Sequence, residues 1–331
     1  MPLVVIGRLL RIQGERFIQK KRSDTLGKGN QMKIQKLIGA VVLAALGSSA
    51  QAEIDMDSRE GVVAINRKIQ CSTEDGVEKT YVWHGRAYAR RQGERDKLLF
   101  GLLGMNVRQC VTATNDKGEE GYRQVSREIM LYLDPVSGEI LREWENPYTG
   151  QTVEVIHVAN DPVNSRSPNF GYGRDGKVSK LPLQMVGDYW QMNVEVPLFY
   201  HNVLGGDYQK YVGGTYHATE LFNFYGARDE LLDDDGTFVN PGVSWVRISQ
   251  WLPWMEMNGR DGIMYFNAQG TKLDSWDDLP TLMKDEIAAN YPKYRHAPPM
   301  DDQRPNETSW TFFKKIFDER SAADGDARSE H

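Results

Sequence analysis

Between residues 80 and 267 the chain is written as short runs of β-type residues separated by Pro- and Gly-bearing turns. Such a pattern predicts an antiparallel sheet rather than helices or a doubly wound fold. Residues 80–88 are rich in aromatic and β-type side chains, and residues 122–134 alternate, with Ile129, Leu131 and Leu133 on one face. Asp134-Pro135-Val136-Ser137-Gly138 is a turn in which Pro135 presets φ and Gly138 closes. Residues 139–144 are its return strand. A second turn at 146–150 leads into a strand at 152–158, and further strands are expected at 188–196, 214–225, 244–251 and, shorter, 262–267. The apolar run at 98–105 contains two glycines and is read as buried strand and turn. Neither a G-x-G-x-x-G phosphate loop nor a Walker A pattern is present. The expected fold is mainly β: an antiparallel meander closed as a calycin-like barrel, with a two-sheet sandwich as the alternative.

Helices are expected at the two ends of this β region. Val62, Ile65 and Ile69 fall at three- and four-residue steps behind Ser58, a suitable N-cap. Near the C-terminus Leu279, Leu282, Met283 and Ile287 form one stripe, and Trp310, Phe313, Ile316 and Phe317 a second. Residues 53–320 are read as a single mainly β domain, and residues 321–331, small, polar and charged, as a disordered tail.

The first 52 residues are read as processing sequence. Met32 opens the order of a secretory signal: Lys33 and Lys36, an apolar core from Leu37 to Leu46, then Ala50-Gln51-Ala52 as a small-x-small cleavage site. Residues 1–31 are taken as an upstream extension. The expected location is periplasmic or secreted, with no stable membrane insertion after cleavage.

Cleavage after Ala52 would remove nine basic and two acidic residues, leaving 31 Lys and Arg against 44 Asp and Glu, a net charge of −13. A chain this acidic repels phosphate backbones, so nucleic-acid binding is not expected. The two cysteines, Cys71 and Cys110, can pair in an oxidising compartment or stand as two separately buried thiols. They have no C-x-x-C spacing, so they make neither a zinc site nor a thioredoxin-type motif.

The densest polar cluster is His157-Val158-Ala159-Asn160-Asp161-Pro162-Val163-Asn164. His157 is the candidate base, with Asp161 to orient it and Asn160 and Asn164 as fixed hydrogen-bonding groups, although Asn, Asp and Pro are also ordinary turn chemistry. His201, His217 and Glu220 lack any zinc-site spacing, so no metal site is assigned, and the two histidines are carried as ligand-binding candidates. Asp233-Asp234-Asp235-Gly236 fails both anchors of an EF-hand loop and reads as a solvated turn. Trp245, Arg247 and Trp251 share one strand face, an amphipathic wall suited to a planar or anionic ligand; His84 and Tyr88 share another.

Several stretches together resemble the bacterial and fungal family known as domain of unknown function 1838. They are Leu99-Phe100-Gly101 with Gly104-Met105-Asn106-Val107-Arg108, Ser126-Arg127-Glu128, Tyr132-Leu133-Asp134-Pro135 with Gly138, Asn146-Pro147-Tyr148-Thr149-Gly150, and the cluster at 157–164. The resemblance spans roughly residues 60–320 and implies one domain; it brings no activity, cofactor or catalytic residue. The expected function is binding, or binding and transforming, a small hydrophobic or aromatic molecule in a β-barrel pocket. The alternatives are a periplasmic hydrolase or isomerase using His157 and Asp161, and a structural or protein-interaction module. The sequence names no cofactor.

Overall fold

A computed structural model describes residues 53–201, 203–204, 215–257 and 259–329. The signal-sequence reading falls on residues outside these. The first element, α1 (Arg59–Gln70), is capped as its sequence implies: the Ser58 side chain accepts a hydrogen bond from the Gly61 amide.

Nine strands then form one antiparallel sheet. They are β1 (Lys79–Arg90), β2 (Lys97–Thr114), β3 (Glu120–Leu133), β6 (Val158–Asn160), β7 (Leu183–Val186), β8 (Tyr189–His201), β9 (Thr215–Ala227), β10 (Gly242–Ser249) and β11 (Ile263–Leu273). Their order is β6-β3-β2-β1-β11-β10-β9-β8-β7. A separate hairpin, β4 (Glu143–Glu145) with β5 (Thr152–Glu154), is closed by the turn at Asn146, whose side chain accepts from the Tyr148 amide. Three helices follow in the second half: α2 (Arg228–Leu232), α3 (Thr281–Asn290) and α4 (Ser309–Ser329).

The sheet does not close, which corrects the barrel expectation. Its outermost strands, β6 and β7, span three and four residues and pair on one side only, each with its inner neighbour. Edges this short offer few unpaired backbone groups to a further strand. The sandwich alternative also fails: the second sheet has only two strands, and its Trp144 packs on Phe100 and Trp254 instead of forming a facing layer.

Strand alternation gives the nine-stranded sheet two different faces. On one, Leu103, Met105, Val107, Ile129 and Leu131 bury against Leu279, Met283 and Ile287 of the α3 region. Leu282, counted in the same stripe, is 39% exposed. The other face is lined by Phe100, Leu102, Met130, Tyr132, Tyr216, Trp245 and Phe266, with Trp310 and Phe313 of α4 inserted among them. Residues of β3 and of β9, far apart in the sheet order, line one cavity on this face, so the sheet wraps around it. We call this face concave. The backbone of α4 continues helically to Ser329, through most of the stretch read as a disordered tail.

Two sequence readings shift for the same reason. Residues 97–114 are one unbroken strand, not strand and turn, and β11 runs to Leu273. Gly104 is needed inside β2 because Trp83, its register partner on β1, lays its indole across it: a Cβ at 104 would sit 2.2 Å from that ring.

Candidate functional site

The concave face holds a cavity of about 870 Å³. One wall is aromatic, built from Tyr81 and Trp83 of β1, Phe222 and Phe224 of β9 and Trp245 of β10. The adjoining wall is polar: Asn106 and Arg108 of β2, Gln124, Ser126 and Glu128 of β3, and Asn160 of β6. Each set sits at every second position of its strand, so the wall is a direct product of β-strand periodicity. The start of α4 and the residues before it, Asn306, Glu307, Thr308 and Ser309, contribute the rim.

Charges inside this cavity are paired with differing completeness. Arg247 bridges to Glu220 at 3.1 Å and also donates to the Tyr216 hydroxyl. Burial works against its charge, but Tyr216, Glu220, Tyr132 and Glu128 outweigh burial and hold its pKa above the ordinary arginine value. Glu128 accepts a hydrogen bond from the Asn160 side chain at 2.8 Å. Burial, with Glu220 nearby, pushes its carboxyl above the ordinary carboxylate value despite that bond. Four buried polar atoms of the lining have no hydrogen-bond partner among the described residues: Trp83 Nε1, Trp245 Nε1, Asn160 Oδ1 and Arg247 Nε.

Of the residues singled out by sequence, Trp245, Arg247 and Asn160 meet in this cavity. Trp251 lies beyond the end of β10; it is buried against Tyr148, and its Nε1 donates to the Arg260 carbonyl. His84 and Tyr88 do share a strand face, but it is the opposite one. His84 is exposed, and Tyr88 stacks on Tyr265 at 4.9 Å. His217 and His201 are also exposed, with the His217 ring edge-on to Phe199. Asn164 is used locally: its side chain accepts from the Ser126 amide.

His157 and Asp161 form no pair. His157 is buried behind β3, where its Nδ1 accepts a hydrogen bond from the Tyr132 amide at 3.1 Å. Burial, with the Arg142 charge adding to it, lowers its pKa to about 4. Asp161 is held by Arg127 at 3.2 Å, Lys293 at 2.9 Å and Arg304 at 2.9 Å. Burial alone would raise its pKa, but hydrogen bonds from Arg304 and Lys293 and the Arg127 charge hold it below the ordinary carboxylate value. Neither side chain lines the cavity, and their partners are those of a structural clasp joining β3, β6 and the C-terminal segment. Cys71 and Cys110 are joined in a disulfide, Cα to Cα 5.7 Å, tying the end of α1 to β2.

Sequence reasoning missed Asn106, Arg108, Ser126, Glu128 and Tyr216 as site residues, and weighed Glu220 only as a metal ligand. The available signal was a polar or charged residue at every second position inside otherwise apolar strands.

What the fold and cavity define is an open, mainly β shell with one amphipathic chamber on its concave side. Residues 76–317 match the family described as Protein of unknown function (DUF1838), and the chain belongs to that family. No curated protein matches it. Among solved structures, a LolA superfamily protein from Nitrosomonas europaea is 10% identical, covering 70% of this chain and 96% of that one, with a TM-score of 0.15. A likeness this weak carries no argument. Asn106, Arg108, Ser126, Glu128, Val158, Asn160 and Val163 of the cavity wall all fall within the stretches that carry the family resemblance.

Proposed function

We propose that this protein binds a small hydrophobic or aromatic molecule carrying a polar group in the concave-face cavity. The observation that carries this reading is one chamber lined both by aromatic side chains, Tyr81, Trp83, Phe222 and Trp245, and by polar ones, Asn106, Arg108, Gln124 and Ser126. A largely apolar lining with a few convergent polar groups is the usual make-up of a small-molecule site. A volume of about 870 Å³ lies within the range of small-molecule sites. We place the protein in the periplasm or outside the cell; the signal-type sequence at 32–52 and the Cys71–Cys110 disulfide support that.

The test is native mass spectrometry of protein purified without denaturation from its own host. A small-molecule adduct of fixed mass is expected, released when the protein is acid-denatured and reduced in Trp83→Ala. An adduct-free wild-type spectrum together with no uptake from a host small-molecule extract would remove the reading.

A further inference from the structure

Resting on that reading, we propose that the ligand is a monoanionic amphiphile, a carboxylate on an aromatic or aliphatic body, and that Arg108 receives its head group. Arg108 is a cavity-lining guanidinium with no carboxylate within ion-pair distance among the described residues. Its contacts are neutral. Nε donates to the Asn106 side chain at 2.8 Å, and Nη1 donates to Gln70 at 2.6 Å and Gln124 at 3.4 Å. Its plane is held 4.7 Å from the Tyr81 ring centre. Three amides and a ring thus fix the guanidinium without neutralising it, and Nη2 remains for a further acceptor. A charge removed from water requires an opposite charge to complete it.

Two lysines stand near Arg108 outside the cavity lining. Lys79 is the register partner of Arg108 on β1, and it lies over the Phe238 ring. Lys272 donates to the carbonyls of Lys68, Ile69 and Cys71 at the end of α1, its ammonium 5.9 Å from the same Tyr81 ring. Neither lysine makes an ion pair among the described residues. Neither lines the chamber, and burial lowers both pKa values, so Arg108 carries the positive charge of this wall.

The other two cavity arginines are poorer receivers: Arg166 is exposed, so water already solvates its charge. Arg247 already has Glu220 and the Tyr216 hydroxyl. Glu128, Glu220 and Glu307 share the lining, and they would repel a dianion such as a phosphate monoester more than a single carboxylate. With the head at Arg108, the apolar body lies along Tyr81, Trp83 and Phe222.

Calorimetric titration of the full chain with 2-naphthoate and with its neutral counterpart 2-naphthylmethanol tests this. Wild type should prefer the carboxylate by roughly ten- to a hundredfold, the range of a charged hydrogen bond. Arg108→Gln should abolish the preference. Gln124→Glu supplies a carboxylate beside Nη1 and should abolish it too, with thermal unfolding run on both variants to show that they fold. Equal affinity for the two probes in wild type would overturn the inference and leave the cavity reading intact. So would a preference undiminished in either folded variant. Failure of both probes to bind would remove the cavity reading and this inference with it.

Discussion

Folding moves the His157 imidazole from water into a site where it accepts one backbone hydrogen bond and has the Arg142 charge nearby. Its pKa falls from 6.5 to about 4. Below pH 6.5 the unfolded chain therefore takes up a proton that the folded chain refuses, so stability declines as pH falls from 6.5 towards 4. The full effect is about 3 kcal/mol. His157→Asn puts an amide oxygen where Nδ1 stands, keeping an acceptor for the Tyr132 amide, and does not titrate. Urea unfolding at pH 7 and at pH 4.5 should show wild type losing about 2 kcal/mol more than the variant across that interval. Parallel losses would show that His157 has no part in acid sensitivity. The sequence placed His157 and Asp161 in one site because they are four residues apart and flank a polar turn. In the fold the intervening residues are extended, which separates the two by about 13 Å along β6. The antiparallel register with β3 then sets His157 beside Tyr132 and Asp161 beside Arg127. Proximity along a strand is not proximity of side chains, and nothing local in the sequence reveals which neighbouring strand supplies each partner.

At the scale of elements, β1 and β2 show how a legible pattern was misread. Glycines at 101 and 104 suggested a turn, whereas Gly104 is a strand residue cleared of its side chain so that the Trp83 indole can lie flat over β2. Gly270 of β11 is the other register partner of Trp83, and there a Cβ would meet the Val82 carbonyl oxygen at 2.1 Å and the Trp83 Cβ at 2.8 Å. Gly104→Ala should cost about 1–3 kcal/mol in chemical denaturation, because the added methyl displaces the ring. In a Trp83→Ala background the same substitution should cost far less. Equal costs in both backgrounds would show that the ring does not set the requirement. The helices were more legible: α1 begins at its Ser58 cap, and Met283 and Ile287 of α3 are buried as their spacing implies. Both rest on local signals, caps and a 3.6-residue period.

For the whole molecule, the β class and the antiparallel order of its hairpins were readable, and closure was not. Alternation says which residues share a face, but not whether the first and last strands meet. That depends on pairing between distant segments, and here the short β6 and β7 stand at opposite edges. The chamber was half readable. Trp245 and Arg247 announce an amphipathic face on β10, while Asn106, Arg108 and Glu128 become a wall only once β2 and β3 are curved towards β9. Whether this chamber holds a ligand is read most directly by ¹⁹F NMR of protein labelled with 5-fluorotryptophan. Signals would be assigned by single Trp→Phe variants and followed during titration with 2-naphthoate. Trp83 and Trp245, in the cavity, should shift together and saturate at one equivalent. Trp276, on the other side of the sheet beneath Arg295, should stay in place. Unmoved Trp83 and Trp245 signals at saturating probe, or a shift confined to Trp276, would mean that the chamber is not the binding site.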